Sequence, residues 1–199
     1  MTENTPAKSG YHHGDLRHAL IEAAESILLE RGVEGFSLRE AARRAGVSPA
    51  APAHHFGDAR GLLTVIATLG FEGLSAALTQ ANEQTEGEGR LVRVRAQGRA
   101  YIHFAMARPA RFDLMWRSER LDMSDPAHMT ASFRAYQLLH EVVTGAPLAP
   151  DCMEEHFATD PRVIAAWSMV HGFAALARRN TFDIDAPGLL DGVLACLVV

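Results

Sequence analysis

The feature that most constrains the fold of this sequence is a pair of helix-start signals separated by a glycine turn. Ser37-Leu38-Arg39-Glu40 is a capping box, in which the serine oxygen accepts a hydrogen bond from a free backbone N–H and the glutamate reaches back. Gly46 ends that helix, and Ser48-Pro49 supplies the next start signal, an N-cap residue followed by proline. The pattern predicts two short helices, over 38–45 and 49–56, arranged as a helix-turn-helix.

The rest of the sequence has helical periodicity and no strand-like alternation. We predict a first helix from an N-cap at Asp15 to a stop at Gly32, and a long helix from an N-cap at Asp58 to Gly87. Proline and glycine breakers separate five further predicted helices, over 90–107, 109–116, 125–144, 160–180 and 186–199. The expected fold class is all-α. It comprises a flexible arm, an N-terminal three-helix domain with the helix-turn-helix, and a C-terminal helical bundle, over 1–14, 15–57 and 58–199 respectively.

Composition limits the classes of protein to which the chain can belong. The 199 residues include no stretch near the roughly 18 uninterrupted apolar residues of a membrane span, and the N-terminal residues have no signal-peptide pattern. Two cysteines, Cys152 and Cys196, cannot form a disulfide scaffold. We therefore expect a cytoplasmic protein with no membrane partner.

Charge is the main argument against nucleic-acid binding, since the formal net charge is −5. Its distribution weakens that argument, because residues 1–65 carry seven basic and eight acidic side chains and most of the excess acidity lies beyond them. The acidity of the chain therefore does not exclude DNA binding by the first 65 residues. Any such binding should be modest, sensitive to salt and pH, and dependent on a dimer to supply enough arginines.

The run from Asp15 to Leu63 resembles the DNA-binding domain of the TetR family of transcriptional repressors. The matching residues are Leu20-Ile21-Glu22-Ala23-Ala24, Gly32, Phe36-Ser37-Leu38-Arg39-Glu40-Ala41-Ala42, Ala45-Gly46-Val47-Ser48, His55-Phe56-Gly57-Asp58 and Leu62-Leu63. A weaker match resembles a C-terminal subgroup of that family named for its Trp/His-Gly pattern, at Pro109-Ala110-Arg111-Phe112, Leu114-Met115, Trp167 and His171-Gly172. The resemblance implies a homodimeric repressor that binds a palindromic operator in double-stranded DNA and leaves it when a small-molecule effector binds, with no cofactor.

The resemblance also implies which residues contact DNA, with residues 48–55 as the recognition helix. The expected DNA-binding residues are Ser37, Arg39, Arg43, Ser48, Pro49, Ala50, Ala51, Ala53, His54, His55 and Arg60. Hydroxyl, arginine and histidine groups hold phosphates, and alanine faces contact thymine methyl groups. The chain departs from the family pattern at three positions, which predicts weaker or differently distributed contacts. It has Ala53 where an aromatic residue is usual, Ala59 where a lysine is usual, and Pro52 within the recognition helix.

Aromatic and methionine residues concentrate beyond residue 65. Such side chains line adaptable apolar cavities, although any single one is more often a core residue. With the family resemblance, they predict a pocket for a small, largely apolar effector. The expected pocket residues are Phe71, Tyr101, His103, Phe104, Phe112, Met115, Trp116, Phe133, Tyr136, Trp167 and His171.

The last two predicted helices indicate a dimer surface. The terminal helix has a wide apolar stripe, which must pack on something. Pairing it with helix 160–180 across a two-fold axis would form a four-helix bundle, whereas the alternative is packing within one chain. The expected interface residues are Val163, Trp167, Val170, Leu190, Val193, Leu194 and Leu197.

Other functions have weaker support in the sequence. An enzyme is not expected, because no nucleophile elbow, glycine-rich phosphate loop or spaced set of metal ligands is found. Cys152 and His156 are one helical turn apart and leave open a metal-responsive regulator. A helical interaction module that lacks the usual DNA contacts is the other alternative.

Overall fold

The computed structural model describes residues 13–148 and 160–198, with side chains from residue 16 onward in those ranges. The described residues contain helices and no strand, which confirms the all-α fold class. They form two compact units, one ending at Leu62 and one beginning at Leu63. Nearly all of the arm expected at 1–14, and the pair Cys152 and His156, lie outside the described residues.

The first unit is built on three helices, α1 (His13–Arg31), α2 (Leu38–Arg44) and α3 (Ala51–Phe56). Its core is formed by fully buried residues of α1 together with small residues of α2, namely Leu20, Ala24, Ile27, Ala41 and Ala42. Since alanine has the smallest apolar side chain, α2 approaches α1 closely. Helix α1 begins before the predicted start, so the expectation that Asp15 is its N-cap is wrong.

The boundary between the units falls within α4 (Ala59–Gln84). This helix begins at the predicted N-cap, because the Asp58 carboxylate accepts a hydrogen bond from the Gly61 N–H at 2.9 Å. Helix α4 is long and apolar enough to cross a membrane by length and composition alone, a feature that the search for uninterrupted apolar runs missed. More than half of its apolar window is buried inside the protein. It is therefore a core helix.

The second unit continues with α5 (Arg90–Ala107), α6 (Pro109–Met115), a 3₁₀ turn (Ser118–Arg120), α7 (Pro126–Thr144), α8 (Pro161–Ala177) and α9 (Leu189–Ala195). Helix α5 is central and packs against each of α6, α7, α8 and α9. Proline lies at the first positions of α6, α7 and α8, where its missing N–H would have no partner within the helix. The predicted breakers therefore mark the helix starts correctly.

The last helix is much shorter than the predicted span of 186–199. Gly188 has a φ of +75°, so the chain turns there before α9 begins. After Ala195 the Cys196 and Leu197 N–H groups bond to carbonyls three residues back, in the tighter geometry that ends many helices.

Candidate nucleic-acid interface and ligand cavity

Only one of the two hydrogen bonds of the predicted capping box is present at the start of α2. The Ser37 hydroxyl accepts a hydrogen bond from the Glu40 N–H at 3.4 Å. The Glu40 carboxylate, however, accepts bonds from Arg43 at 2.8 Å and from Arg44 at 3.0 Å. The expectation that it reaches back to Ser37 is therefore wrong, because two arginine partners lie on the next turn of the same helix.

The turn after α2 depends on Gly46. Its φ is +69°, a conformation that costs glycine little and most residues much more. The Val47 N–H then bonds to the Ala42 carbonyl at 3.0 Å, which closes the end of the helix. The chain is turned sharply towards α3, and the predicted helix-turn-helix is confirmed.

Helix α3 begins at Ala51 rather than at Pro49, and Ala50 rather than Ser48 is its N-cap. Because the helix starts later, Pro52 lies in its first turn, where an N–H has no partner within the helix. Pro52 therefore costs α3 no helix hydrogen bond. Pro52 and Phe56 form the buried side of α3.

The other side of α3 and the turn before it are open to solvent. Ser48, Pro49, Ala50, Ala53 and His54 are exposed, and Ala51 and His55 are half-buried. Three exposed residues of α2 and its cap, Ser37, Arg39 and Arg43, line one shallow depression with Pro49. The depression therefore brings together Ser37, Arg39 and Arg43, whereas the expected Ser48 and His55 do not line it. The expected Arg60 is exposed at the start of α4.

The arginines of α2 have different surroundings. Arg44 bonds to Glu30 of α1 at 2.7 Å and to Ser26 at 3.1 Å, so it joins α1 to α2. Hydrogen bonds from Arg44 and Ser26 lower the pKa of the Glu30 carboxyl group to about 2, and hydrogen bonds from Arg43 and Arg44 lower that of Glu40 to about 2. Arg39 is exposed and makes no ion pair or hydrogen bond within the described part of the chain. Arg39 is therefore the α2 arginine best able to bind a phosphate.

A separate cavity of about 300 Å³ lies within the second unit, at the lower end of the roughly 300–1,000 Å³ typical of small-molecule sites. Six of the eleven expected pocket residues line it: Phe71, Tyr101, Met115, Trp116, Tyr136 and Trp167. The other five do not. Phe104, Phe112 and Phe133 are buried in the core, His103 is exposed, and His171 lies behind Tyr101.

Buried polar residues at the cavity wall were missed by the sequence analysis. Gln97 is 1% exposed, and its amide nitrogen donates to the Asn82 side chain at 2.9 Å and to the Leu138 carbonyl at 3.0 Å. His128 is also 1% exposed. The available signal was position: Gln97 follows Val94 by three residues and precedes Tyr101 by four, which places it on the buried face of α5.

The protonation state of His128 follows from its hydrogen bonds. The Thr68 hydroxyl donates its only hydrogen to the Thr64 carbonyl at 2.8 Å, so it can only accept from His128 Nδ1 at 3.4 Å. Burial lowers the pKa of His128 despite the nearby Asp125 and Asp122. The ring is therefore neutral, with Nε2 as a hydrogen-bond acceptor.

A second polar chain joins α5 to α8. The Tyr101 hydroxyl and His171 Nδ1 lie 2.8 Å apart and share a hydrogen bond. Burial raises the pKa of Tyr101 and lowers that of His171, so both groups are neutral. This bond holds Tyr101, a residue of the cavity wall, against α8.

The structure separates the expected dimer residues into two groups. Four of them, Val163, Val170, Leu194 and Leu197, are buried within the chain itself. Packing inside one chain, the alternative to a dimer surface, explains why these four are apolar. Leu194 and Leu197 pack where α5 has Gly98. Trp167, Leu190 and Val193 are half-buried. The exposed face of α8 carries other residues, Ala165, Ser168 and Leu176, beside the half-buried Gly172.

Comparisons with known proteins match both parts of the chain. The family model for bacterial regulatory proteins of the tetR family matches residues 20–66, and that for the tetracyclin repressor-like C-terminal domain matches residues 94–197. No curated protein sequence matches the chain at a significant level.

Solved structures share the fold. A protein of unknown function from Rhodococcus sp. RHA1 is 35% identical, with 94% of each chain covered and a TM-score of 0.73. The TetR family transcriptional regulator PfmR from Thermus thermophilus is 22% identical, with 78% of this chain and 83% of that chain covered and a TM-score of 0.60. The TetR-like regulator LfrR from Mycobacterium smegmatis, solved in complex with proflavine, is 14% identical, with 93% and 98% covered and a TM-score of 0.62.

The matched domains are those of transcription factors rather than enzymes. They cover the helix-turn-helix in the first unit and, in the second, the cavity-lining helices from α5 onward. The chain belongs to the tetR family of bacterial regulatory proteins.

Proposed function

We propose that this protein is a transcriptional repressor that leaves a palindromic operator when a small, largely apolar effector binds. DNA binding is assigned to residues 15–57, and effector binding and dimerisation to residues 58–199. The observation that carries the proposal is the exposed surface of the helix-turn-helix: one side of α3 is open to solvent, and Arg39, which has no ion pair among the described residues, shares a shallow depression with Pro49 in the turn before α3. A protein of this class acts in the cytoplasm, where the DNA is.

The composition of that surface indicates how it would read DNA. The turn before α3 and the open side of the helix present small apolar residues, which fit against thymine methyl groups, and His54, which can hydrogen-bond to a base edge. Ser37 and Arg39 supply phosphate contacts at the start of α2. A surface with so few hydrogen-bonding groups gains specificity mainly from placing two copies on one operator.

The cavity supports the effector part of the proposal. Its lining contains no Lys, Arg, Asp or Glu side chain among the residues that the structure describes, which suits a largely apolar molecule. LfrR, which has the same fold, was solved with proflavine bound.

Dimerisation is assigned to the exposed face of α8 together with the half-buried Leu190 and Val193 of α9. An added methyl group at Gly172 would meet no atom within 4 Å, so this face is open at that point. Small residues on a helix face allow close approach of a second helix. A dimer is also what a palindromic operator requires, because two recognition helices must lie roughly 34 Å apart to enter successive major grooves.

The DNA-binding part is tested by a gel mobility shift with the DNA upstream of the protein's own gene. Ala53→Glu puts a negative charge on the exposed side of α3, and we expect loss of the sequence-preferring complex, because the carboxylate faces the phosphate backbone. Ala127→Glu, at an exposed position in the first turn of α7, is the matched control and should bind as the parent does. Equal binding by parent and Ala53→Glu would show that α3 is not the recognition surface.

A further inference from the structure

Two residues that line the cavity, Gln97 and Trp116, each have a buried polar atom without a hydrogen-bond partner among the described residues: Gln97 Oε1 and Trp116 Nε1. One is an acceptor and the other is a donor. A buried polar group left without a partner costs free energy comparable to a lost hydrogen bond, so such groups are uncommon and usually have a missing partner.

The orientation of the Gln97 amide follows from its neighbours. Both hydrogens of its nitrogen are used, one by the Asn82 side chain and one by the Leu138 carbonyl, which can only accept. Turning the amide over would place its oxygen against that carbonyl. Gln97 therefore presents an acceptor, and a ligand atom that meets it must be a donor.

The other polar groups of the described lining are uncharged, which agrees with a neutral ligand; they are the His128 ring and the hydroxyls of Ser118, Ser132, Tyr101 and Tyr136. His128 lines the cavity as a neutral ring whose Nε2 is a second acceptor. Trp116 offers one N–H and so requires an acceptor on the ligand. A carboxylate provides no donor for Gln97, and no cation in the described lining offsets the cost of its burial.

We infer that the cavity selects a neutral, mostly hydrocarbon molecule with at least one hydrogen-bond donor for Gln97 Oε1 and one acceptor for Trp116 Nε1, as a hydroxyl or carboxamide group provides. The inference rests on the proposed function only in taking this cavity as the effector site. It narrows the effector from any apolar molecule to a class that excludes carboxylic acids and simple hydrocarbons.

The protein contains its own reporter for this test. It has two tryptophans, Trp116 and Trp167, and both line the cavity. Intrinsic fluorescence titrations use three probes: 1-decanol, its isomer methyl nonyl ether, and decanoate. The ether has the same formula as the alcohol but no hydrogen-bond donor, and decanoate tests the effect of a negative charge. We expect 1-decanol to bind about tenfold more tightly than the ether, the usual effect of leaving a buried polar group unpaired, and decanoate to bind most weakly.

Two variants assign the preference to residues. Gln97→Leu removes the acceptor and should weaken 1-decanol binding about tenfold, to the level of the ether. Because it also removes the bonds to Asn82 and Leu138, Trp116→Phe provides a second test that leaves those bonds intact. It removes only the indole donor and should weaken 1-decanol binding severalfold, with Trp167 as the remaining reporter. Gln80→Leu, at an exposed position of α4, should keep the parent's selectivity.

Four results would overturn the inference: equal binding of alcohol and ether, preference for decanoate, no tryptophan response to any of the three probes, or unchanged selectivity in both Gln97→Leu and Trp116→Phe. DNA binding of the ligand-free protein, measured in parallel, separates this inference from the proposed function. A protein that binds its operator but ignores 1-decanol refutes the inference alone. One that prefers 1-decanol but binds no DNA refutes the proposed repressor alone.

Discussion

In the first unit, one arginine of α2 stabilises the fold and another is proposed to contact DNA. The Arg44 side chain is only 20% exposed and donates hydrogen bonds to Glu30, Glu40 and Ser26. Arg39, on the same helix, remains exposed. The basic residues of α2 look equivalent in the sequence, and only the positions of the acids around them, on α1 and α2, separate the two roles.

The Glu30–Arg44–Glu40 cluster predicts acid sensitivity of the first unit. The carboxyl pKa values are lowered from 4.5 to about 2, so the stabilisation is complete above about pH 4.5 and is lost as the pH falls towards 2. Glu30→Gln should lower the thermal midpoint at pH 7 and flatten its decline between pH 5 and pH 2. Glu72→Gln, at an exposed position of α4 outside the cluster, is the control. Parallel pH profiles for parent and Glu30→Gln would contradict the assignment.

Ala53 predicts a gain of function. The position is exposed on the open side of α3, where the family usually has an aromatic residue. Ala53→Tyr adds a hydroxyl able to bond a phosphate, which is worth about 1 kcal/mol in each of two protomers and should tighten operator binding about thirtyfold. Fluorescence anisotropy with labelled operator measures the change, and Ala53→Phe separates the hydroxyl from the added ring. Unchanged affinity in the tyrosine variant would place Ala53 away from the DNA backbone.

At the scale of helices, the sequence predicted the features that depend on neighbouring residues alone, above all the positions where helices begin. Caps and prolines predicted the starts of α4, α6, α7 and α8, because a cap satisfies free N–H groups wherever the helix is placed. Which aromatic residues line the cavity was not predictable, since Tyr101 and Phe112 are both buried and aromatic and only the packing of α5 and α6 decides which one faces the empty space. Gln97 was missed because polar residues are usually read as exposed.

The packing of α9 on α5 predicts a steric effect at Gly98. A methyl group there would lie 2.8 Å from Leu194 Cδ2 and 3.2 Å from Val170 Cγ1, in a buried site. The clash costs roughly 1–3 kcal/mol, and the better helix propensity of alanine offsets up to about 1 kcal/mol. Gly98→Ala should therefore lower the free energy of unfolding by about 1 kcal/mol in urea. Gly192→Ala, with no atom within 4 Å of the added methyl, should leave stability equal or higher.

For the whole molecule, the proposed dimer is tested on the exposed face of α8. Leu176 is 47% exposed, and Leu176→Glu should shift the protein to monomer in sedimentation velocity at micromolar concentration, because a buried unpaired carboxylate is costly in an interface. Leu29→Glu, at a leucine 59% exposed on α1, is the matched control and should remain dimeric. A dimeric Leu176→Glu would move the two-fold contact to another face.

Because acidic residues outnumber basic ones in the whole molecule, the salt dependence of its DNA affinity is the most direct test of which residues contact phosphate. The first 65 residues are nearly neutral, so binding relies on a few arginines rather than on a broad basic field. Each phosphate that a cation neutralises adds about 0.9 to the slope of log K against log salt. If Arg39 holds one phosphate in each of two protomers, Arg39→Ala should reduce that slope by about 1.8 and weaken binding to all sequences alike. Arg134→Ala, at an exposed position of α7 in the second unit, should leave the slope unchanged. A parent-like slope in Arg39→Ala would mean that the phosphate contacts lie elsewhere, and a change of half the expected size would mean that one protomer alone uses Arg39.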